Sequence, residues 1–304
     1  MANEGDGWQW FLAQLNGFFT SVAGLSAPHE FPAPSFLHQR EPLAEALDHA
    51  GPSLEAAALL GRRTAEMHLA LAAATDDPTF AAEPLTKADL ASDARRIGVQ
   101  ITSTLEALKA RLSTLKDLTA DDAGLLLSRR INLFARANAI TSFTPAGQRF
   151  RIHGDYHLGQ TLRTGGPSSD FVLLDFEGEP ARSLAERRAK QSPLKDVAGM
   201  IRSFSYAAYT GLDRYVTGLG EVAKTGDSDT LGAWANLWQN AVSSEFLRAY
   251  RETIGSNPAI LPSPEQTESL LGAYLLEKAL YEMLYELNNR PAWLRIPLAG
   301  ILSL

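Results

Sequence analysis

The sequence predicts an α+β fold, mostly α, in which one small β element carries the chemistry. Three observations lead there. Apolar residues recur at helical spacing over most of the chain. Two short apolar, β-branched runs, RFRIH (Arg149–His153) and FVLLDF (Phe171–Phe176), flank a polar DYHLGQ stretch and a Gly-Gly-Pro-Ser-Ser turn. The carboxylates and amides best suited to chemistry are gathered between and just after those runs.

In chain order, Gly5–Asp6–Gly7 reads as a turn opening an aromatic-rich amphipathic helix over Gly7–Phe19, and SAPHEFPAPSF (Ser26–Phe36) as a Pro-broken linker. Ser53–Ala74 is a helix in which Gly61 marks a close neighbour, and Asp76–Pro84 is a loop. Lys87–Leu115 and Ala120–Ala139 read as an antiparallel helical pair before the sheet begins near Arg149. After the hairpin come helices over Leu194–Leu219, Thr230–Ile254 and Pro264–Asn288, with no internal repeat and no low-complexity tract.

Composition narrows the function classes. A chain of 304 residues with 45% hydrophobic content can bury one large core or two coupled ones. With 28 basic against 35 acidic residues there is no broad positive field for nucleic acid, so any polyanion must be held by a local site. The lack of cysteine excludes a disulfide framework and thiolate metal sites. MANEGDGWQWFLAQL carries acids where a signal peptide carries Lys or Arg, and apolar stretches are interrupted before the ~18 residues of a membrane span. The expectation is a cytoplasmic protein with neither nucleic acid nor membrane as partner.

The segment Arg151–Glu179 reads as half of a phosphotransferase site. Phosphoryl transfer from ATP requires Mg²⁺ across the phosphates and a positioned nucleophilic oxygen, needs that hard oxygen ligands on adjoining loops can meet. In the kinase template a loop Asp accepts the hydroxyl proton, an amide five residues on holds one metal, and an Asp after a short hairpin holds another. Asp155, Gln160 and Asp175 fit those roles in that order, and Glu177 follows two residues on at a spacing that joins it to the set. All four are expected to converge in one metal-sized cluster. His153 reads as a loop organiser bonded to backbone, and His157 as either a packing residue or a substrate contact. Glu66 and His68 read as buried and satisfied. Asp196 either accepts hydrogen bonds from the loop or caps its helix. For an acceptor, Glu277, Lys278, Tyr281, Tyr285 and Asn289 share one helix, with Lys278, Tyr281 and Tyr285 at one-face spacing.

This is the layout of the larger lobe of a kinase-like fold. A complete kinase also has an N-terminal β lobe whose Gly-rich loop covers the phosphates and whose Lys reaches them. The first Lys here is Lys87, in a helical region, so the nucleotide lobe is expected to be absent. The expected division is a helical subdomain over 1–148 and a catalytic and C-terminal part over 149–304.

HGDYHLGQ (His153–Gln160), LLDFEGEPARSLAERRAKQSPLKDVAGMIRSF (Leu173–Phe204), LGRRTAEMHLAL (Leu60–Leu71) and LLEKALYEMLYELNNRPAWLRIPLAGIL (Leu275–Leu302) resemble maltokinase, including the maltokinase domains fused to trehalose synthase. NEGDGW (Asn3–Trp8) resembles the segment just after the hinge between the lobes. The resemblance implies the large C-terminal lobe of an aminoglycoside-phosphotransferase-like fold and ATP- and Mg²⁺-dependent conversion of maltose to maltose 1-phosphate. It implies Asp155 as base, Gln160 and Asp175 as Mg²⁺ and nucleotide ligands, and Glu177 as an auxiliary metal or metal-water ligand. It also favours Arg187, Lys195, Lys278 and Tyr285, beside His157, as substrate contacts. The expected partners are maltose, ATP, and trehalose synthase or a separate small lobe, with low activity for the chain alone. The alternatives are a non-catalytic sugar-binding or trehalose-synthase-docking module, or a kinase for another small hydroxyl substrate.

Overall fold

A computed structural model describes the chain except residues 1–2, 39–40, 116, 145, 167–168, 220–224, 256 and 258, and except the side chains of 117–118 and 225–228. Pro167 and Ser168 of the expected turn lie outside the described residues. The architecture is mostly helical α+β.

Strand β1 (Asn3–Asp6) enters helix α1 (Gly7–Val22), whose Asp6 cap accepts the Gln9 N–H at 2.7 Å. The expected turn at Gly5–Asp6–Gly7 is therefore partly strand. Its three polar residues and glycine show no alternation, and β1 exists because it pairs antiparallel with β4 (Thr161–Thr164), Asn3 opposite Thr164 and Asp6 opposite Leu162. Gly5, at φ +93°, absorbs the irregular register between those pairs. β4 forms the expected hairpin with β5 (Phe171–Leu173), Leu162 facing Val172, which gives the sheet order β1-β4-β5.

Helix α2 (Ala44–Leu71) starts earlier than its apolar pattern suggests and runs through Pro52, because Ala46 and Ala50 already face the core. The linker's Phe31 and Phe36 are buried against the same core. A second, two-stranded sheet pairs β2 (Glu83–Pro84) with β3 (Gln148–Arg149). Between them run α3 (Lys87–Arg111), capped by a reciprocal Thr86–Asp89 box, α4 (Asp117–Ser128) and α5 (Arg130–Ala139). The single helix expected over 120–139 is broken at Arg129, whose N–H is shared between the carbonyls of Leu125 and Leu126. Its two halves answer to different partners: α5 packs on α3 and α9 (Pro264–Asn289), and α4 on α10 (Arg295–Leu302). A short α6 (Leu184–Arg188), α7 (Leu194–Leu219) and α8 (Thr225–Ile254) complete the body.

The longest helix contact joins α2 to α8, and Gly61 permits it: a Cβ there would lie 2.2 Å from the Phe246 carbonyl oxygen. One apolar cluster runs from Phe11 and Leu15 of α1 through Leu60, Ile101, Phe204, Trp238 and Leu280 to Ile301, on both sides of residue 148. Among the described residues no helix is long and apolar enough to cross a membrane.

Candidate active site

The segment after β3 leaves the sheet early. Phe150 makes one bridge to Gln191, and the chain then turns into the 153–160 loop instead of extending a strand to His153. The reason is Asp196, 2% exposed in the first turn of α7. Its Oδ2 accepts the His153 N–H and its Oδ1 the Gly154 N–H, each at 2.9 Å. His68 on α2 stands 3.2 Å from the same Oδ2 through Nε2, and its Nδ1 lies 3.0 Å from the Tyr250 hydroxyl on α8. A buried carboxylate is tolerable only with such partners. Asp196 takes the loop-bonding role, and His68 is buried and satisfied. Glu66 is exposed instead, paired with Arg63 at the surface. Gly199 lets α7 touch the loop, since a Cβ would fall 2.6 Å from the Tyr156 carbonyl oxygen.

His153 is fully buried. Its Nε2 lies 2.7 Å from the Leu174 carbonyl oxygen, and its Nδ1 accepts the Asp155 N–H at 3.4 Å, which assigns the proton to Nε2. The ring thus ties the loop to the end of β5. Leu174 donates its own N–H to the Gln160 carbonyl at 2.9 Å. Beyond it Asp175 adopts φ +60°, the only non-glycine residue with positive φ among those described. That conformation costs an Asp roughly 1 kcal/mol, and such strain concentrates at functional sites.

Gln160 Nε2 donates to Asp175 Oδ2 at 3.0 Å. Glu177 does not join them: its side chain is 81% exposed, with Arg187 at 3.9 Å as its partner. Asp155 lines a neighbouring cleft. No group of three His, Asp or Glu among the described residues is arranged to hold a metal ion. The Gln160–Asp175 pair nonetheless suits Mg²⁺, which takes one or two protein oxygens and completes its shell with water and phosphate. Turning the Gln160 amide would present its Oε1 beside the Asp175 carboxylate.

The cleft, open to solvent, lies between this loop and helices α3, α7 and α9. Its far wall is a charged network. Arg96 grips Glu277 with two hydrogen bonds, at 3.0 and 3.1 Å, and Asp93 at 2.8 Å; Asp93 also accepts from the Tyr274 hydroxyl at 2.9 Å. Lys195 bonds Gln191 at 2.9 Å, lies 3.6 Å from Asp93 and 3.8 Å from Glu277, and caps the Tyr274 ring. On the near side Glu179 accepts from Arg182 Nε at 2.7 Å, and Lys278 lies over the Tyr281 ring. Burial pushes the Glu179 carboxyl up, but Arg182, the Tyr281 hydroxyl and Lys278 together hold it below the usual carboxylate range. Burial and Glu179 raise the Tyr281 hydroxyl. Burial lowers the His157 imidazole, opposed by Asp155 and reinforced by Lys278.

Of the expected substrate contacts, Lys195 and Lys278 line the cleft. His157 caps the short turn after it, its Nδ1 accepting the Gly159 N–H at 3.1 Å. Arg187 lies against Gly178 and Glu177. Tyr285 is 46% exposed under the Arg290 guanidinium, one helical turn along α9 beyond the cleft-lining Tyr281. Gln100, Asp93, Arg96 and Tyr274 belong to the cleft or its wall and carried no sequence signal, since α3 meets α9 only in the folded chain; Glu179 and Gln191, after the metal pair, line the cleft as well without having been singled out.

No family model matches the chain. It is 29% identical over 241 residues to a glucosamine kinase of Streptacidiphilus jiangxiensis, covering 79% of this chain and 47% of that protein. It is 32% identical over 156 residues to a glucosamine kinase of Mycolicibacterium smegmatis (strain ATCC 700084 / mc(2)155), covering 50% of this chain and 33% of that protein. The chain thus spans about half, or less, of the length of the curated relatives it matches. These relatives overturn the likeness to maltokinase, and with it maltose, maltose 1-phosphate and trehalose synthase as substrate, product and partner. The alternative of a kinase for another small hydroxyl compound accords with them better. Among solved structures, a glucosamine kinase superposes with TM-score 0.69 at 22% identity, over 98% of this chain and 58% of that one. A glucosamine kinase in complex with glucosamine, ADP and inorganic phosphate superposes with TM-score 0.68 at 22% identity, over 99% of this chain and 60% of that one. Over nearly its whole length, the chain has the fold of a large part of these kinases.

Proposed function

We propose that the chain is the acceptor and metal lobe of an ATP-dependent sugar kinase whose acceptor is glucosamine or a close amino sugar. The observation that carries this reading is the placement of Asp155: it lines a cleft on a loop fixed by Asp196, and that loop ends at the Gln160–Asp175 pair. The glucosamine kinase relatives support the acceptor class.

In this mechanism Asp155 accepts the proton of the sugar hydroxyl as its oxygen bonds to the γ-phosphorus of ATP; the bond from that phosphorus to the β–γ bridging oxygen breaks, and ADP leaves. Gln160 and Asp175 would hold Mg²⁺, which when bound supplies charge neutralisation across the phosphates. His153 keeps the Asp155 backbone and the end of β5 in register. Lys195 and Lys278 place positive charge along the cleft, where they can hold sugar hydroxyls. The strands described here form two small sheets, neither containing a lysine, so a Gly-rich strand pair with its lysine is a further component that full turnover requires.

Calorimetry with glucosamine and with maltose tests the acceptor. Glucosamine is expected to bind and maltose is not; the reverse preference would overturn the reading. In protein that turns over, Asp155→Asn is expected to lower kcat by at least ~100-fold while leaving sugar affinity nearly unchanged. Unaltered kcat would remove Asp155 from the chemistry.

A further inference from the structure

An amino sugar differs from its neutral counterpart by an ammonium group, and a desolvated carboxylate beside the sugar is the group that can read the difference. The cleft is lined by Asp155, Glu179, Asp196 and Glu277. Asp196 is committed to the His153 and Gly154 N–H groups and to His68. Both oxygens of Glu277 accept from the Arg96 fork, with Lys195 close by. Asp155 must meet the reacting hydroxyl. Glu179 is less committed: one oxygen accepts from Arg182 Nε at 2.7 Å, the side chain turns toward the Tyr281 hydroxyl with the Lys278 charge nearby, and acceptor sites remain of the roughly four that a carboxylate offers. It is only 9% exposed, so a cation reaching it would exchange water for charge-assisted hydrogen bonds. Its place is set by Gly178, which at φ +75° turns the chain from the metal strand into the cleft and rests on Gly154 of the catalytic loop. Glu179 therefore sits on a turn packed against the loop that carries Asp155.

We infer that Glu179 is the specificity-determining residue of the acceptor site, receiving the ammonium group of an amino sugar on its free carboxylate acceptor sites while Asp155 receives the hydroxyl. The inference rests on the amino-sugar reading above. Arg182 and the Tyr281 hydroxyl hold the carboxylate in place, and the Tyr281 ring flanks the same side of the cleft.

The test is calorimetry on the 304-residue chain with glucosamine and with glucose, at mildly acidic pH where the amine is protonated. The wild type is expected to prefer glucosamine by about 10-fold, the worth of one charge-assisted hydrogen bond. Glu179→Gln is expected to bring that ratio close to one, and Glu179→Asp, which keeps the charge, to retain part of it. A purely structural role would weaken both sugars together and leave the ratio unchanged, which would overturn the inference. Should both variants fail to fold by circular dichroism, Arg182→Ala, which frees the second oxygen, is expected to raise the preference, and an unchanged ratio there overturns it equally. A wild type that binds glucose as well as glucosamine, or neither, would remove the amino-sugar reading itself.

Discussion

Asp196→Asn exchanges one of the two oxygens that hold the His153 and Gly154 N–H groups for an amide NH₂ of nearly the same size. Whichever way the amide turns, its donor faces a backbone donor: toward Gly154 if it replaces Oδ1, toward His153 if it replaces Oδ2. His68 can change tautomer to suit an amide, but the backbone cannot. The loss is one hydrogen bond to a charged acceptor, roughly 1.5–3 kcal/mol, together with a buried N–H left unpaired, roughly 1–3 kcal/mol. The two overlap, so a loss of about 3 kcal/mol is expected. Urea unfolding followed by circular dichroism measures it as a lower midpoint at unchanged slope. Because the slackened bond, at His153 or Gly154, lies within two residues of Asp155, kcat should fall while sugar affinity changes little. An Asp196→Asn protein with the wild-type midpoint and turnover would refute the argument that this carboxylate shapes the loop.

Gly61→Ala pushes a methyl to 2.2 Å from the Phe246 carbonyl oxygen and should lower stability by about 1–3 kcal/mol in the same assay, whereas Gly17→Ala, with open space around it, should not. His157, depressed below its ordinary value by burial, binds fewer protons folded than unfolded between its folded pKa and about 6.5. Stability should therefore fall as pH drops through that window, and a pH series of melts on His157→Gln should lose that component. Lys278→Ala should weaken glucosamine binding about 10-fold by calorimetry, while Tyr285→Ala, outside the cleft, should leave it within twofold; equal effects would place the acceptor further along α9.

Much of the body was legible. α7 begins just after Pro193 and α9 carries Pro264 behind a Ser263 cap, so both boundaries lie in local chemistry. β1 was not legible, because three polar residues and a glycine become a strand only when β4 offers them an edge. Neither was the wall built by Asp93, Arg96 and Glu277, which joins helices far apart in sequence. The acceptor was misread for a related reason. YELNNRP looks specific, yet in the fold it closes α9: Glu286 is 1% exposed, accepts from Tyr206 at 3.0 Å, and holds Arg290 at 2.7 and 3.0 Å. SPLKDVAGM likewise supplies Asp196 and Gly199 to support the loop. Strings that hold a scaffold together say little about the sugar it receives. Glu177 was placed with the metal by spacing, but Gly178 turns the chain immediately after it and Arg187 draws it outward.

The pairing of β1 with β4 also sets an order of events during synthesis. The residues that complete the sheet leave the ribosome on the order of 10 s after β1 does, at ~5–20 residues per second, and closing so long an intervening segment carries its own entropic cost. Until then β1 lacks its β4 partner, and its sequence Asn-Glu-Gly-Asp, with two acids and a glycine, suits that wait: it is a poor template for a stray strand of another nascent chain. The hairpin that carries Gln160 and Asp175 can close locally, but its third strand joins only after α1 to α5 have been made.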